Sequence, residues 1–304
     1  IKPDNVSEIA KLIKQKIETT SKALTVAIYN NKGGVGKTTT TVNLAAMLTI
    51  LKKKVLIVDF DPNQRDLTNL LGIKPSKETL YSWLEAKNTQ ISIKDVICRY
   101  KTPNNLYSFD AIPADEELAY LGEDQLRQLF KLSRLRQVLE TSKSQYDYIL
   151  IDSSPNWRFF SQSTLLASDV VLIPTKHNNM SSLENAATAI KSFIPQIQQE
   201  RKDGGPIALP IFFNGEKINE SQIKTAQKEI NSIIEQARED RINQFDLLPY
   251  FYPYYSQHKK DCRVFELPSY AHIANSSFSH TPAVYNYKIA RDYYLALVKE
   301  YFLP

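Results

Sequence analysis

Short continuous apolar runs alternate along this chain with stretches that carry apolar residues at helical spacing. "ALTVAIYN", from Ala23, reads as a strand buried on both faces, "TTTTVNLAAMLTILKK", from Thr38, as a helix, and "KVLIVDFD", from Lys54, as a second buried strand. Together they predict a βαβ unit with parallel strands. "YDYILIDSSP" from Tyr146, "DVVLIPTK" from Asp169 and "PIALPIFFN" from Pro206 are further runs of strand type. The helical patterns "EELAYLGEDQLRQLFKLSRLRQVLETS" from Glu116 and "ESQIKTAQKEINSIIEQARE" from Glu220 lie between or after them. Apolar strands alternating with amphipathic helices predict an α/β fold: a doubly wound, mostly parallel sheet with helices on both faces. Ahead of it, Val6, Ile9, Leu12, Ile13 and Ile17 recur at helical spacing among lysines, which predicts an amphipathic helix over residues 1–22 preceding a domain of 23–304.

Composition narrows the picture. At 304 residues and 42% hydrophobic content with no Gly/Ser- or Pro-rich linker, one large core is expected. Cys98 and Cys262 are far apart and lack metal or redox spacing, as expected of a reducing, cytoplasmic setting. No apolar run approaches the roughly 18 residues that suggest a membrane span, and the N-terminus lacks the apolar region of a signal peptide. A net charge of +5 is too small to imply nucleic-acid binding by itself, but it allows a basic face.

The candidate chemistry begins in "YNNKGGVGKTTTT", Tyr29 to Thr41, between the first strand and its helix. A Gly-rich turn there presents backbone N–H groups and a helix N-terminus to phosphate, and Gly33, Gly34 and Gly36 let the backbone approach closely. Lys37 is placed to reach the β/γ-phosphates and Thr38 to give its hydroxyl to Mg²⁺, as the G-K-[ST] part of a P-loop requires. With Val35 and Thr39 these residues make the expected nucleotide cradle. The first glycine of the usual P-loop pattern is replaced by Asn31. Asp59 and Asp61 end the second strand, and Asp152 ends "YILI" like a Walker B aspartate, all where an open α/β sheet binds ligands.

These residues resemble the ParA/MinD family of deviant Walker ATPases, and its ParA-type partition members in particular. "KGGVGKTTTTVNLAAML" is similar to the family's P-loop, "DFDP" to its switch I, and "YDYILIDSSP" to its Walker B strand, with fainter echoes as far as residue 302. The resemblance implies an ATPase that uses ATP and Mg²⁺. It makes Lys37 the cis phosphate ligand, and Lys32 a second lysine reaching the nucleotide of the other subunit in an ATP-bound homodimer. Asp61 would orient the attacking water, and Asp59 would support magnesium-bound water or the switch, with Thr38 and Asp152 also toward the metal. Asn214 and Pro268 lie where the family contacts adenine. "TKHN" (Thr175–Asn178) resembles a guanine-reading motif but ends in Asn178 instead of an acid, so adenine is preferred.

The implied function is slow, switch-like hydrolysis that positions a plasmid, chromosome or protein organelle on nucleoid DNA. Its partners would be nonspecific DNA and a ParB-like or cargo adaptor that stimulates hydrolysis. Lys259, Lys260, Arg263, Lys288 and Arg291 are the candidate DNA contacts. Two departures stand out: "NQRD" (Asn63–Asp66) replaces the usual Gln-Gly-Asn of the switch, and "SYAH" follows Pro268 where many relatives carry arginines. The alternatives are a MinD-like membrane-associated regulator, for which "YYLALVKEYFLP" is a poor basic amphipathic helix, and an ATP-dependent biosynthetic or reductase relative.

Overall fold

The computed structural model describes residues 22–85, 91–256, 258–268, 273 and 279–303, so all of the helix expected over 1–22 except Lys22 lies outside the described residues. Among the described residues ten strands are formed: β1 (Leu24–Ile28), β2 (Val55–Phe60), β3 (Cys98–Lys101), β4 (Ser108–Ile112), β5 (Tyr148–Ser153), β6 (Val170–Leu172), β7 (Pro174–Thr175), β8 (Ile207–Ala208), β9 (Phe212–Gly215) and β10 (Phe265–Pro268). Seven of them make the main sheet in the order β3-β4-β2-β5-β1-β6-β8, parallel except for the β3–β4 pair. The expected doubly wound α/β architecture is therefore present.

Strand alternation explains the two covered faces. Leu24, Val26 and Ile28 pack on the side of the helix Lys37–Ile50, whereas Ala27 and Tyr29 point into the opposite layer with Val171 and Ile173. With every residue of β1, β2 and β5 buried, these strands read as unbroken apolar runs. The C-terminal helix Lys288–Tyr301 lies against the helix Lys37–Ile50, where the Tyr294 hydroxyl donates to the Thr39 carbonyl at 3.3 Å. On the other face, the helix Glu220–Glu239 is capped by Asn219, whose side chain accepts from the Gln222 N–H. It buries Ala226, Ile230, Ile233, Ile234 and Ala237.

Two of the expected strands are each divided. "PIALPIFFN" supplies β8 to the main sheet and β9 to a second, three-stranded parallel sheet of order β10-β9-β7, and "DVVLIPTK" likewise supplies β6 and β7. Pro210 and Pro174 mark the crossings: without an N–H a proline cannot continue a ladder, so the chain changes partners there. The Ile211 N–H donates to Tyr250 and the Phe212 N–H to Ile173. The long helical pattern after Glu116 forms three helices, Glu116–Ala119, Glu123–Leu129 and Arg134–Glu140, interrupted near Gly122 and Phe130.

Candidate nucleotide site

The site is assembled by strand register. β5 lies between β1 and β2, with Ile28 and Asp59 both paired to Asp152, so the loop after β1 and the carboxylates ending β2 and β5 emerge together at the carboxyl edge of the sheet. In that loop Gly34 and Gly36 have φ of 74° and 83°, left-handed values that suit glycine. A Cβ on Gly33 or Gly34 would meet nothing within 4 Å, so the outer lip of the loop faces open space. Gly36 is different: a Cβ there would stand 2.3 Å from the Asn214 amide nitrogen.

Lys37 opens the following helix and is buried, with its ammonium donating to the Lys32 carbonyl at 3.1 Å. Burial lowers its pKa, and the charges of Asp152, Asp61 and Asp66 oppose that shift. Lys32 contributes its carbonyl inward, while its side chain is half-buried and makes no ion pair among the described residues. The Thr41 hydroxyl ties the helix back by donating to the Lys37 carbonyl at 3.0 Å and lies 3.5 Å from Asp152 Oδ1, while Thr38 acts to lower the Asp152 pKa.

Burial pushes the Asp152 carboxyl up to about 8, aided by the charges of Asp59 and Asp61 and opposed by Thr38 and Lys37. Asp59 is raised to about 6, again by burial, against hydrogen bonds from Thr68 and the Asp61 backbone. Asp61 is also raised by burial, while the Gln64 N–H and the Lys37 charge pull it down. Three crowded, desolvated carboxylates beside one lysine are short of positive charge, which fits a divalent cation. Among the described residues no group of three or more His, Cys, Asp or Glu could hold a metal alone. Such a partial donor set suits Mg²⁺, which keeps waters and is completed by phosphate oxygens.

The expected site residues are thus brought together, with differences in posture. Asp59 faces inward: its Oδ2 accepts from the Thr68 N–H at 2.9 Å and the Thr68 hydroxyl at 2.7 Å, and its Oδ1 from the Asp61 N–H at 3.3 Å. Of its two expected roles, this posture favours support of the switch. The unusual "NQRD" segment closes as a turn in which the Arg65 N–H donates to the Asp61 carbonyl and Arg65 adopts a left-handed φ of 53° before the helix Asp66–Leu71. Arg65 also pairs with Glu116. Asn214, next to last in β9, and Pro268, last in β10, lie on adjacent strands of the small sheet, where Leu267 pairs Asn214 and Pro268 pairs Gly215.

The candidate DNA contacts differ in availability. The Arg291 guanidinium donates to the Val284 and Tyr285 carbonyls, so it closes the end of the preceding helix. Arg263 is exposed but bidentate on Asp261, which Lys259 also approaches at 3.8 Å. Lys260 and Lys288 are exposed.

Sequence reasoning missed Thr68 and Asn30. Thr68 binds Asp59 and accepts the Ala114 N–H at 2.8 Å, joining the ends of β2 and β4. Asn30 is buried, and its amide donates to the Pro174 and Ser182 carbonyls at 2.9 and 3.1 Å. Thr68 reads locally as an ordinary helix residue. Asn30 stood inside the quoted loop, and a polar side chain at the end of an otherwise buried strand was its available signal.

A glycine cradle at a helix N-terminus, a buried lysine and strand-end carboxylates on a parallel sheet define a P-loop nucleotide-binding protein. Residues 23–204 match the AAA_31 family, described as an AAA domain. The chain belongs to that family and, within it, to the ParA/MinD type of P-loop ATPase. It is similar to the sporulation initiation inhibitor protein Soj of Bacillus subtilis, 39% identical over 153 residues covering 50% of this chain and 57% of Soj. It is also similar to the chromosome partitioning protein ParA of Myxococcus xanthus, 36% identical over 151 residues covering 49% and 50% of the two chains. The chain thus spans between half and two-thirds of the length of these relatives. Among solved structures it superposes on a variant of Cyanothece McdA in complex with ATP at a TM-score of 0.67 and 19% identity, covering 94% of this chain and 98% of that one. Septum site-determining MinD of Pyrococcus horikoshii complexed with Mg-ADP gives 0.61 at 21% identity, covering 91% and 95%. At those identities the structural likeness establishes the fold.

Proposed function

We propose that this chain is an Mg²⁺-dependent ATPase of ParA type that dimerises with ATP, binds DNA without sequence preference and positions a cargo along it. Hydrolysis, stimulated by a cargo-bound adaptor, would release it. The observation that carries the reading is the clustering of buried Lys37, Asp61 and Asp152 with partly buried Thr38 beneath an open glycine loop whose lip presents a second lysine, Lys32. Lys37 and the loop amides would hold the phosphates, and Thr38 and Asp152 would hold the cation that shields the transferred charge. Asp61 would orient the attacking water. Lys32 would meet the phosphates of a facing subunit, so that triphosphate occupancy favours the dimer.

The Soj and ParA similarities support partition or positioning over the biosynthetic alternative. Among the described residues no helix is long and apolar enough to cross a membrane. The cation face offered to DNA would include Lys259, Lys260 and Lys288. The test is retention of nonspecific duplex DNA with ATP, with ADP and without nucleotide. An ATP-dependent rise that falls steeply with salt is expected; equal binding in all three states would remove the positioning model.

A further inference from the structure

Asn214 stands 178 residues from Gly36 in sequence, yet its side chain is built into the phosphate loop. Its amide nitrogen donates to the Val35 carbonyl at 3.0 Å and to the Thr40 hydroxyl at 3.2 Å, with the Gly36 carbonyl at 3.4 Å. The residue is 8% exposed, in a strand end held by β7 on one side and β10 on the other. The fit is tight enough that Gly36 has no room for a Cβ, which would lie 2.3 Å from this nitrogen. The same glycine holds the left-handed φ of 83° that turns the loop into the helix Lys37–Ile50.

These facts fix the orientation of the amide. Two carbonyl oxygens face one end of the side chain, and only a donor satisfies them; the reversed amide would set oxygen against oxygen. The Asn214 Oδ1 is consequently the end turned away from the loop. We infer that Asn214 is a positioning residue for phosphate binding: it clamps the second sheet to the Val35–Gly36 turn and holds the backbone N–H groups of the cradle in place. A contact between Asn214 and the base would then be made by the oxygen alone, as an acceptor. The clamp also gives the small sheet a function, since β7, β9 and β10 brace a loop that belongs to the main sheet.

This inference rests on the nucleotide reading above, and an experiment with a ligand that has phosphates but no base separates the two. Inorganic tripolyphosphate with Mg²⁺ is titrated against the wild-type protein and against Asn214→Ala, Asn214→Asp and Lys37→Ala, beside ATP. Thermal melts restrict the comparison to folded protein. Losing the clamp should weaken tripolyphosphate about tenfold, the scale of one buried hydrogen bond. ATP should weaken by a similar or larger factor. Asn214→Asp keeps the volume but turns a carboxylate oxygen toward two carbonyls, so it should lose at least as much. Unchanged tripolyphosphate affinity in both Asn214 variants would overturn the clamp, whether or not ATP weakens, because Asn214 would then act on the base or not at all. Wild-type protein that binds neither ligand better than Lys37→Ala would instead overturn the nucleotide reading itself.

Discussion

Among single residues, the buried Asp152 is held under electrostatic tension. Its carboxyl is raised to about 8 by burial and by the charges of Asp59 and Asp61, and Asp59 is raised to about 6. A carboxyl raised on folding binds its proton in the folded state before the unfolded chain does. Between about pH 4 and pH 8 the folded protein therefore holds more protons, and stability falls as pH rises through that window. Nucleotide-free, metal-free protein should melt at a lower temperature at pH 8 than at pH 6. The difference should be on the order of 1 to 3 kcal/mol and largely absent in Asp152→Asn. Melting temperatures of both proteins at the two pH values check this. A difference that persists in Asp152→Asn would place its origin elsewhere.

At the scale of elements, the site depends on contacts between segments that are separate in sequence. The helix Asp66–Leu71 reaches back through Thr68 to Asp59, and Thr68 also accepts the Ala114 N–H beyond β4. Thr68→Val keeps the shape but removes the hydroxyl, leaving Asp59 and the Ala114 N–H each short of a partner. A loss of about 1 to 3 kcal/mol is expected, the cost of unsatisfied buried polar groups; Thr68→Ser should recover most of it. Denaturant unfolding of both variants tests this, and a Val variant as stable as wild type would show the network to be incidental. What was legible in the sequence follows the same division. β1, β2 and β5 are buried on both faces and so appear as apolar runs, and the P-loop is a local motif that needs no partner to be recognised. β3 is four residues with one buried, and β10 four with one, so neither leaves an apolar run to read. The Thr68 and Asn214 contacts span 9 and 178 residues, and local pattern cannot carry such information. Asn214 itself was picked out by resemblance, but its bond to the P-loop was not.

At the scale of the whole molecule, the proposed dimer makes one site out of two chains, and that can be tested without a structure of the dimer. If Lys32 acts on the nucleotide of the other subunit while Lys37 and Asp61 act on their own, a Lys32→Ala subunit still owns a sound Asp61. It lacks nothing that an Asp61→Ala partner, with its Lys32 intact, cannot supply. Each variant alone should hydrolyse ATP poorly, the Asp61→Ala protein by roughly a hundredfold or more if its carboxylate assists the water as a general base would. It should still bind ATP, since Lys37, Thr38 and the loop amides remain. In a mixture at equal concentration, random pairing in a two-fold symmetric dimer makes half the dimers mixed, each with one complete site of two. Steady-state turnover of the mixture should recover to about a quarter of the wild-type rate. Adding Lys37→Ala to the Lys32→Ala chain should abolish the recovery, because the complete site is the one on that subunit. No recovery on mixing, with dimers confirmed by light scattering, would return Lys32 to its own loop, where its carbonyl already holds Lys37.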